Sequence, residues 1–300
     1  MIQLKDINKN FGSIHAVKNL TADIHDGEVF GVIGTNGAGK STLLRMIAGV
    51  LKPDSGEIFI DGEPVYENPE TKKLVCFLPD TTWFLPNSTP EQMAAYYKIY
   101  YPDFDTARFL DLVAKLGLDK SRKLRTFSKG MKRQTAVILG ICTGAKYLLC
   151  DEVFDGLDPA VRQAVKSLFA VEVMNRAFTP VIASHNLREL EDICDHVGLL
   201  HQGGMLFSEN LEEVKLHVNK IQCVLTDPVK VEELLKELSV IKFEKRGSMI
   251  MIVARGTRHE ILEAVNRKQP VFSEVLPLSL EEIFISETEV AGYDIKDLLL

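Results

Sequence analysis

An α/β fold with a mostly parallel sheet is predicted by three features of this 300-residue chain. A glycine-rich loop, Gly34-Thr35-Asn36-Gly37-Ala38-Gly39-Lys40-Ser41-Thr42, lies between an apolar run and a helical pattern. Strand and helix patterns alternate over residues 146–207. Within that alternation, Tyr147-Leu148-Leu149-Cys150 runs directly into Asp151-Glu152. Short apolar strands alternating with helices point to a parallel sheet covered by helices.

The elements follow in order. Residues 1–80 are strand-rich around the loop, an N-terminal antiparallel subdomain. Glu28–Ile33 reads as a buried strand, and Leu43, Leu44, Ile47, Val50 and Leu51 recur at helical spacing after the loop. The loop itself fits a glycine, four residues, then Gly-Lys-Ser/Thr. A backbone wrapping a triphosphate must turn successive N–H groups inward, which needs small residues and unusual dihedrals. Lys40 then places a cation by the β- and γ-phosphates, and the Ser41 hydroxyl reaches a magnesium ion. The phosphates would sit at a helix N-terminus, where unpaired donors favour anions. A glycine turn with an accidental lysine is the bland alternative, and the order strand, loop, helix argues against it.

Gly56 is expected to close a turn after Pro53-Asp54-Ser55, and Asp61-Gly62 to join a hairpin. About residues 87–145 the pattern becomes helical, an insertion opened by the capping sequence Thr89-Pro90-Glu91-Gln92. Phe109, Leu112, Val113 and Leu116 give one apolar face, stopped by Gly117. Then come a strand at Tyr147–Cys150, a helix at Ala160–Arg176, a strand at Pro180–Ala183, a helix at Leu187–Cys194 and a strand at Val197–His201. Residues 1–215 make one domain on this reading. Residues 216–300 make a second, small one, with strands at Ile221–Leu225, Val240–Glu244, Met249–Ala254 and Val271–Leu276. Helices begin at Asp227-Pro228 and at the capping box Thr257–Glu260. The order βαββαβ suggests a ferredoxin-like α+β domain. It carries no glycine loop and no convergent polar cluster, so an interaction or dimer-supporting role is expected there, and His259 reads as a solvated residue.

Composition narrows the function classes. Net charge is −7, which weakens the case for nucleic acid as a partner. No apolar run reaches the roughly 20 residues needed to span a bilayer, and Met1-Ile2-Gln3-Leu4-Lys5-Asp6 lacks a signal-peptide core. Five cysteines are scattered without a Cys-x-x-Cys pair, as expected for reduced core residues of a cytosolic protein.

Asp151 and Glu152 extend the loop into a site. Beside a phosphate loop, the first carboxylate suits magnesium and the second suits orienting or deprotonating a water. Alone, acids at a strand end are common helix caps. Together with Lys40 they carry weight.

At this point residues 1 to about 215 resemble the nucleotide-binding subunit of an ABC transporter. Residues 34–42 match the Walker A loop, and Leu148–Glu152 match Walker B. Phe11 falls where that family places an aromatic against adenine. Phe127-Ser128-Lys129-Gly130-Met131 stands at the place of the signature Leu-Ser-Gly-Gly-Gln, Gly156-Leu157-Asp158 matches the D-loop, and His185 in Ala183-Ser184-His185-Asn186 matches the switch histidine. The resemblance implies ATP and Mg²⁺ as cofactors, with ATP bound between the Walker loop of one subunit and the signature of another, head to tail. It also implies an integral membrane permease as partner and a cytoplasmic location on the inner face of the membrane. Whether the second ATP-binding subunit is a copy of this chain stays open.

Read on its own, Ser128 is either a helix cap or, with Gly130, part of a second anion site at a helix start. A lone histidine such as His185 is usually packing or surface; at a strand end downstream of two carboxylates it suits the γ-phosphate. Three departures stand out. Asp80 occupies the usual Q-loop glutamine position, where its carboxylate can still face magnesium with a different charge and hydrogen bonding. Lys129 and Met131 replace glycine and glutamine, and Lys129 either adds a cation near the γ-phosphate or is simply solvated. Phe11 keeps a stacking face without a hydroxyl.

Trp83, Tyr96, Tyr97, Tyr100 and Tyr101 have two readings: a surface that receives a permease helix, or the core of the helical insertion. The small C-terminal domain and the run 184–191 resemble bacterial exporters of drugs, peptides or lipids. The competing function classes are an ABC-type ATPase of ribosomes or chromosomes, which would carry tandem cassettes or long heptads, and a non-transport regulator or sensor.

Overall fold

The computed structural model describes residues 1–290. Chain contacts divide it into two compact units, Met1–Ser208 and Glu209–Leu300. The end of the C-terminal domain expected from sequence, residues 291–300, lies outside the described residues.

The first unit opens with β1 (Ile2–Phe11) and β2 (Ile14–Ile24), a long antiparallel hairpin in which Phe11 pairs with Ile14. β3 (Phe30–Gly34), buried at every position, delivers the glycine loop into α1 (Lys40–Ile47). β4 (Ser55–Ile60) and β5 (Glu63–Pro64) meet across Asp61-Gly62 with Ile60 opposite Glu63. Gly56 does not close the turn before them. It lies inside β4 at φ 83°, where a Cβ would stand 2.4 Å from the Asp6 carbonyl oxygen, because β1 and β4 crowd together where their pairing slips between Lys5 and Asn8.

The chain continues through α2 (Pro69–Lys73) and β6 (Val75–Leu78). The helical insertion holds α3 (Pro90–Tyr100), α4 (Thr106–Lys115), a single 3₁₀ turn at Leu124–Thr126, and α5 (Lys129–Cys142). Its own core joins Met93, Phe104, Phe109, Leu112 and Ile138. Thr89 caps α3 through both halves of the expected capping box. Next come β7 (Tyr147–Asp151), α6 (Pro159–Asn175), β8 (Thr179–Ser184), α7 (Leu187–Glu191), β9 (His196–His201) and β10 (Gly204–Asn210). The helix expected at Leu187–Cys194 stops three residues early.

Two sheets result. One has the order β2-β1-β4-β5; the other has the order β10-β9-β3-β8-β7-β6. Neighbours from β9 to β6 in the second run parallel. The loop after β3 and the carboxylates after β7 therefore emerge at the same sheet edge, on either side of β8, as expected of strand ends that bind ligands in parallel sheets. Phe30, Val32, Leu44, Leu149 and Val181 lie in the core beneath.

The second unit continues with α8 (Leu211–His217), β11 (Val218–Val224), α9 (Pro228–Glu237), β12 (Ser239–Arg246), β13 (Met249–Arg255), α10 (Arg258–Arg267), β14 (Phe272–Leu276) and α11 (Leu280–Val290). The sheet order β12-β13-β11-β14 is wholly antiparallel, the arrangement a βαββαβ chain makes. Ile221, Cys223, Ile250 and Ile252 meet Leu234 and Ile261 in its core.

All five cysteines are free and buried. Burial pushes the Cys76 and Cys142 thiols up to about 12. Among the described residues, no helix is long and apolar enough to cross a membrane.

Candidate active site

The glycine loop sits between β3 and α1 with its two tightest constraints at one residue. Gly39 has φ 106°, and a Cβ there would stand 2.2 Å from the Ala16 carbonyl oxygen. The loop thus lies against the start of β2, at the same end of the hairpin that carries the half-exposed Phe11. Thr35 O accepts from Ala38 N at 3.1 Å, which folds the loop back on itself. Lys40 is buried, and its Nζ donates to Gly34 O (2.7 Å) and Thr35 O (3.1 Å). Burial pulls its pKa down, opposed by the charges of Glu152 and Asp151. With its own loop carbonyls as partners, the ammonium is held ready for a stronger anion.

Ser41 Oγ donates to Asp151 Oδ1 at 3.0 Å. Asp151 is fully buried, and its Oδ2 has no hydrogen-bond partner. Burial pushes this carboxyl up, Ser41 opposes the shift, and the charges of Asp80 and Glu152 add to it. A buried carboxylate with one oxygen unsatisfied, crowded by two other acids, is suited to a hard cation.

Glu152 leaves the strand at φ 50°, a left-handed conformation rarely adopted by a residue with a side chain. Its N–H donates to Ala183 O at 2.9 Å. The kink turns its carboxylate toward the end of β8, where Oε2 accepts from Ser184 Oγ (3.3 Å) and lies 2.9 Å from His185 Nδ1. Such local strain clusters at functional positions. Asp155 completes the group: Glu152, Asp155 and His185 each bring one ligand atom within 4.8 Å of the others.

The hydrogen bond from His185 to Glu152, and that residue's charge, raise the imidazole pKa above its usual range. A raised folded-state pKa stabilises the fold fully below the unfolded value of about 6.5, and the stabilisation is lost as pH rises through the folded value. The His185 ring resonances, followed by NMR, are therefore expected to titrate above 6.5 and to move back toward that value in Glu152→Gln. An unchanged midpoint in the variant would contradict the pairing.

The remaining predicted residues surround this group or cap nearby helices. Ser128 is exposed and caps α5 by accepting from Met131 N at 3.1 Å, a bond whose loss costs about 1 kcal/mol. Gly130 packs on the backbone of Gly156, where a Cβ would stand 2.7 Å from the carbonyl oxygen. Asp158 caps α6 by accepting from Val161 N at 3.0 Å. Asp80 is exposed and shares a cavity of about 490 Å³ with Thr81, Lys129, Lys132, Glu152 and Asp155. Lys129 is exposed, and its aliphatic stem runs beside Gly156.

The aromatic cluster divides between its two readings. Tyr97 and Tyr101 pack on the insertion core, and Tyr101 Oη donates to Val75 O at 2.9 Å. Trp83 and Tyr100 are mostly exposed, and with Lys72 and Phe77 they line a groove of about 620 Å³. Two buried or crowded groups had no place in the sequence reading, Arg133 and Asp155. Asp155 was within reach, three residues beyond Glu152 and just before a glycine.

A glycine loop that holds a lysine at a helix start, beside a serine–aspartate pair and a strained glutamate, defines a P-loop nucleoside triphosphatase. The family model for ABC transporters matches residues 17–155. The ABC transporter ATP-binding protein YtrB of Bacillus subtilis is 28% identical over 96% of this chain and 98% of its own length. The bacitracin transport ATP-binding protein BcrA of Bacillus licheniformis is 30% identical over 79% of each. A dimeric, post-hydrolysis structure of the ATP-binding cassette MJ0796 with ADP and phosphate shares the fold, with TM-score 0.64 and 22% identity over 70% of this chain and 99% of its own. The chain belongs to the ABC transporter ATP-binding family, as an ATP-binding and ATP-hydrolysing subunit.

Proposed function

We propose that the chain is one jaw of a head-to-tail ATPase pair that powers a separate membrane permease, with export as the direction. The observation that carries this reading is the presence of two phosphate-suited helix starts in one chain. Lys40, Ser41, Asp151, Glu152 and His185 converge at one, while Ser128 stands exposed at the start of another helix. A second subunit brings the two together, and the dimeric cassette of the same fold supports that arrangement.

On this reading the backbone of residues 34–42 wraps the phosphates, Lys40 trades its loop carbonyls for the β- and γ-phosphates, and Phe11 stacks on adenine. Ser41 and Asp151 would hold magnesium, with Asp80 nearby; the unsatisfied Asp151 Oδ2 fits that task. When bound, the ion supplies charge neutralisation on the phosphates. Glu152 orients the attacking water and takes its proton. His185 places its imidazole against the γ-phosphate. Ser128 and Gly130 of the second subunit close over the nucleotide, and Asp158 fixes the helix behind the D-loop.

The groove beside Trp83 and Tyr100 receives a cytoplasmic helix of the permease, which places the chain on the inner face of the membrane. A role in transport is supported by BcrA, whose name records bacitracin transport. In Trp83→Ala, recovery of a multi-spanning partner from detergent-solubilised membranes is expected to fall severalfold, with ATPase activity of the isolated subunit retained. Undiminished recovery would remove the groove from the reading. Absence of any multi-spanning partner with the native chain would favour the regulator.

A further inference from the structure

Arg133 is the only buried arginine among the described residues, at 2% exposure. It lies one turn into α5, on the helix that also buries Val137 and Ile138. Burying a guanidinium is costly unless its donors are used. Here Nη1 donates to Pro79 O at 2.8 Å and Nη2 donates to Asp80 O. Two consecutive carbonyls of the loop after β6 are thus held by one planar fork, a geometry that lysine cannot reproduce. Nε is buried without a hydrogen-bond partner, so the two loop carbonyls are what this side chain engages. Burial lowers the arginine pKa, and the charges of Asp155, Asp80 and Asp151 oppose that shift.

The same helix touches a second functional segment. Gly130 meets the Gly156 backbone with no space for a Cβ, and Asp155 of that loop shares the Glu152–His185 cluster. One end of α5 is thereby joined to the Asp80 loop through Arg133, to the Asp155-Gly156 loop through Gly130, and to the exterior through Ser128.

We infer that Arg133 is a positioning residue that locks the Asp80 loop to the start of α5. The carboxylate beside one subunit's phosphates and the Ser128 surface offered to the other then move as one body. A ligand at one site alters affinity at another only if both bias a shared element. Arg133 makes α5 that element. This inference rests on the composite-site reading of Ser128 and Asp80 given above.

The test uses the full chain as Arg133→Met and Arg133→Lys. Fluorescent ATP analogue binding to dilute subunits is expected to change by less than about twofold, because Lys40 and its loop are untouched. In Arg133→Met, kcat falls about tenfold, as does ATP-driven dimer formation in a Glu152→Gln background. Arg133→Lys recovers part of both. A folded Arg133→Met with native kcat and native dimer formation would overturn the inference. If Arg133→Met does not fold, Arg133→Lys decides, because lysine keeps the charge but not the fork: lowered kcat and weaker ATP-driven dimer formation with native analogue binding support the lock, and native values of both overturn it. If Glu152→Gln alone forms no ATP dimer by light scattering, the composite site has failed, independently of Arg133.

Discussion

Glu152→Gln is expected to lower kcat for ATP by about 10²–10⁴-fold, the range a positioned general base supplies, while ATP binding persists. The amide keeps the size of the carboxylate and one oxygen able to accept from Ser184 Oγ, so the kink at φ 50° and the end of β8 should be undisturbed. What disappears is the capacity to take a proton from water. With hydrolysis stopped and binding intact, the ATP-bound dimer should accumulate, since reopening waits on cleavage. Steady-state phosphate release and light scattering, with and without ATP, measure the two halves of this outcome. A variant hydrolysing at the native rate would refute the role of Glu152.

Lys40→Ala acts one step earlier. Its Nζ holds two loop carbonyls and lies buried beside Asp151 and Glu152. Removing it leaves those carboxylates facing the phosphates without a counter-charge. Truncating one partner of a buried charged contact costs about 2–5 kcal/mol, which is roughly 30-fold to 4,000-fold in Kd for ATP. The melting temperature should shift far less, because α1 stays anchored by Leu43, Leu44 and Ile47 in the core. Titration calorimetry checks the affinity, and an unchanged Kd would sink the assignment of Lys40. The two variants separate cleanly: one binds without cleaving, the other fails to bind.

The parts legible in the sequence were those written in contiguous residues. Gly34–Thr42 announces its conformation locally, since glycines, lysine and the following helix pattern are adjacent. Asp151-Glu152 needed only the apolar strand before them. Caps at Thr89, Asp227 and Thr257 were equally plain, because each bonds within one turn of itself. Gly56 was misplaced because its constraint comes from Asp6, far away in the chain. The helix at 187 ended early because Cys194 and Asp195 turn back to β3, with Asp195 Oδ2 accepting from Val29 N. Helix α11 had no prior signal, as its run of mixed acids and apolar residues lacks a clean face.

Arg133 shows the limit most directly. In sequence it is one of two adjacent cations, Lys132-Arg133, on a helix. In the fold it is buried and holds the Asp80 loop. Nothing about neighbouring residues distinguishes a solvated arginine from one that clamps two carbonyls across 53 positions or more of chain. Trp83 and Tyr101 make the same point for aromatics, since both line one groove, yet Trp83 is mostly exposed while Tyr101 also packs on the insertion core.

The burial of every cysteine has a practical consequence for watching the clamp work. Maleimide dyes and spin labels react with thiolates, and these five thiols are buried with their ionisation suppressed. The native protein is therefore a quiet background for site-directed labelling. A single cysteine introduced at the exposed Ser128 or Lys129 would report subunit approach in real time, with no native cysteine removed first.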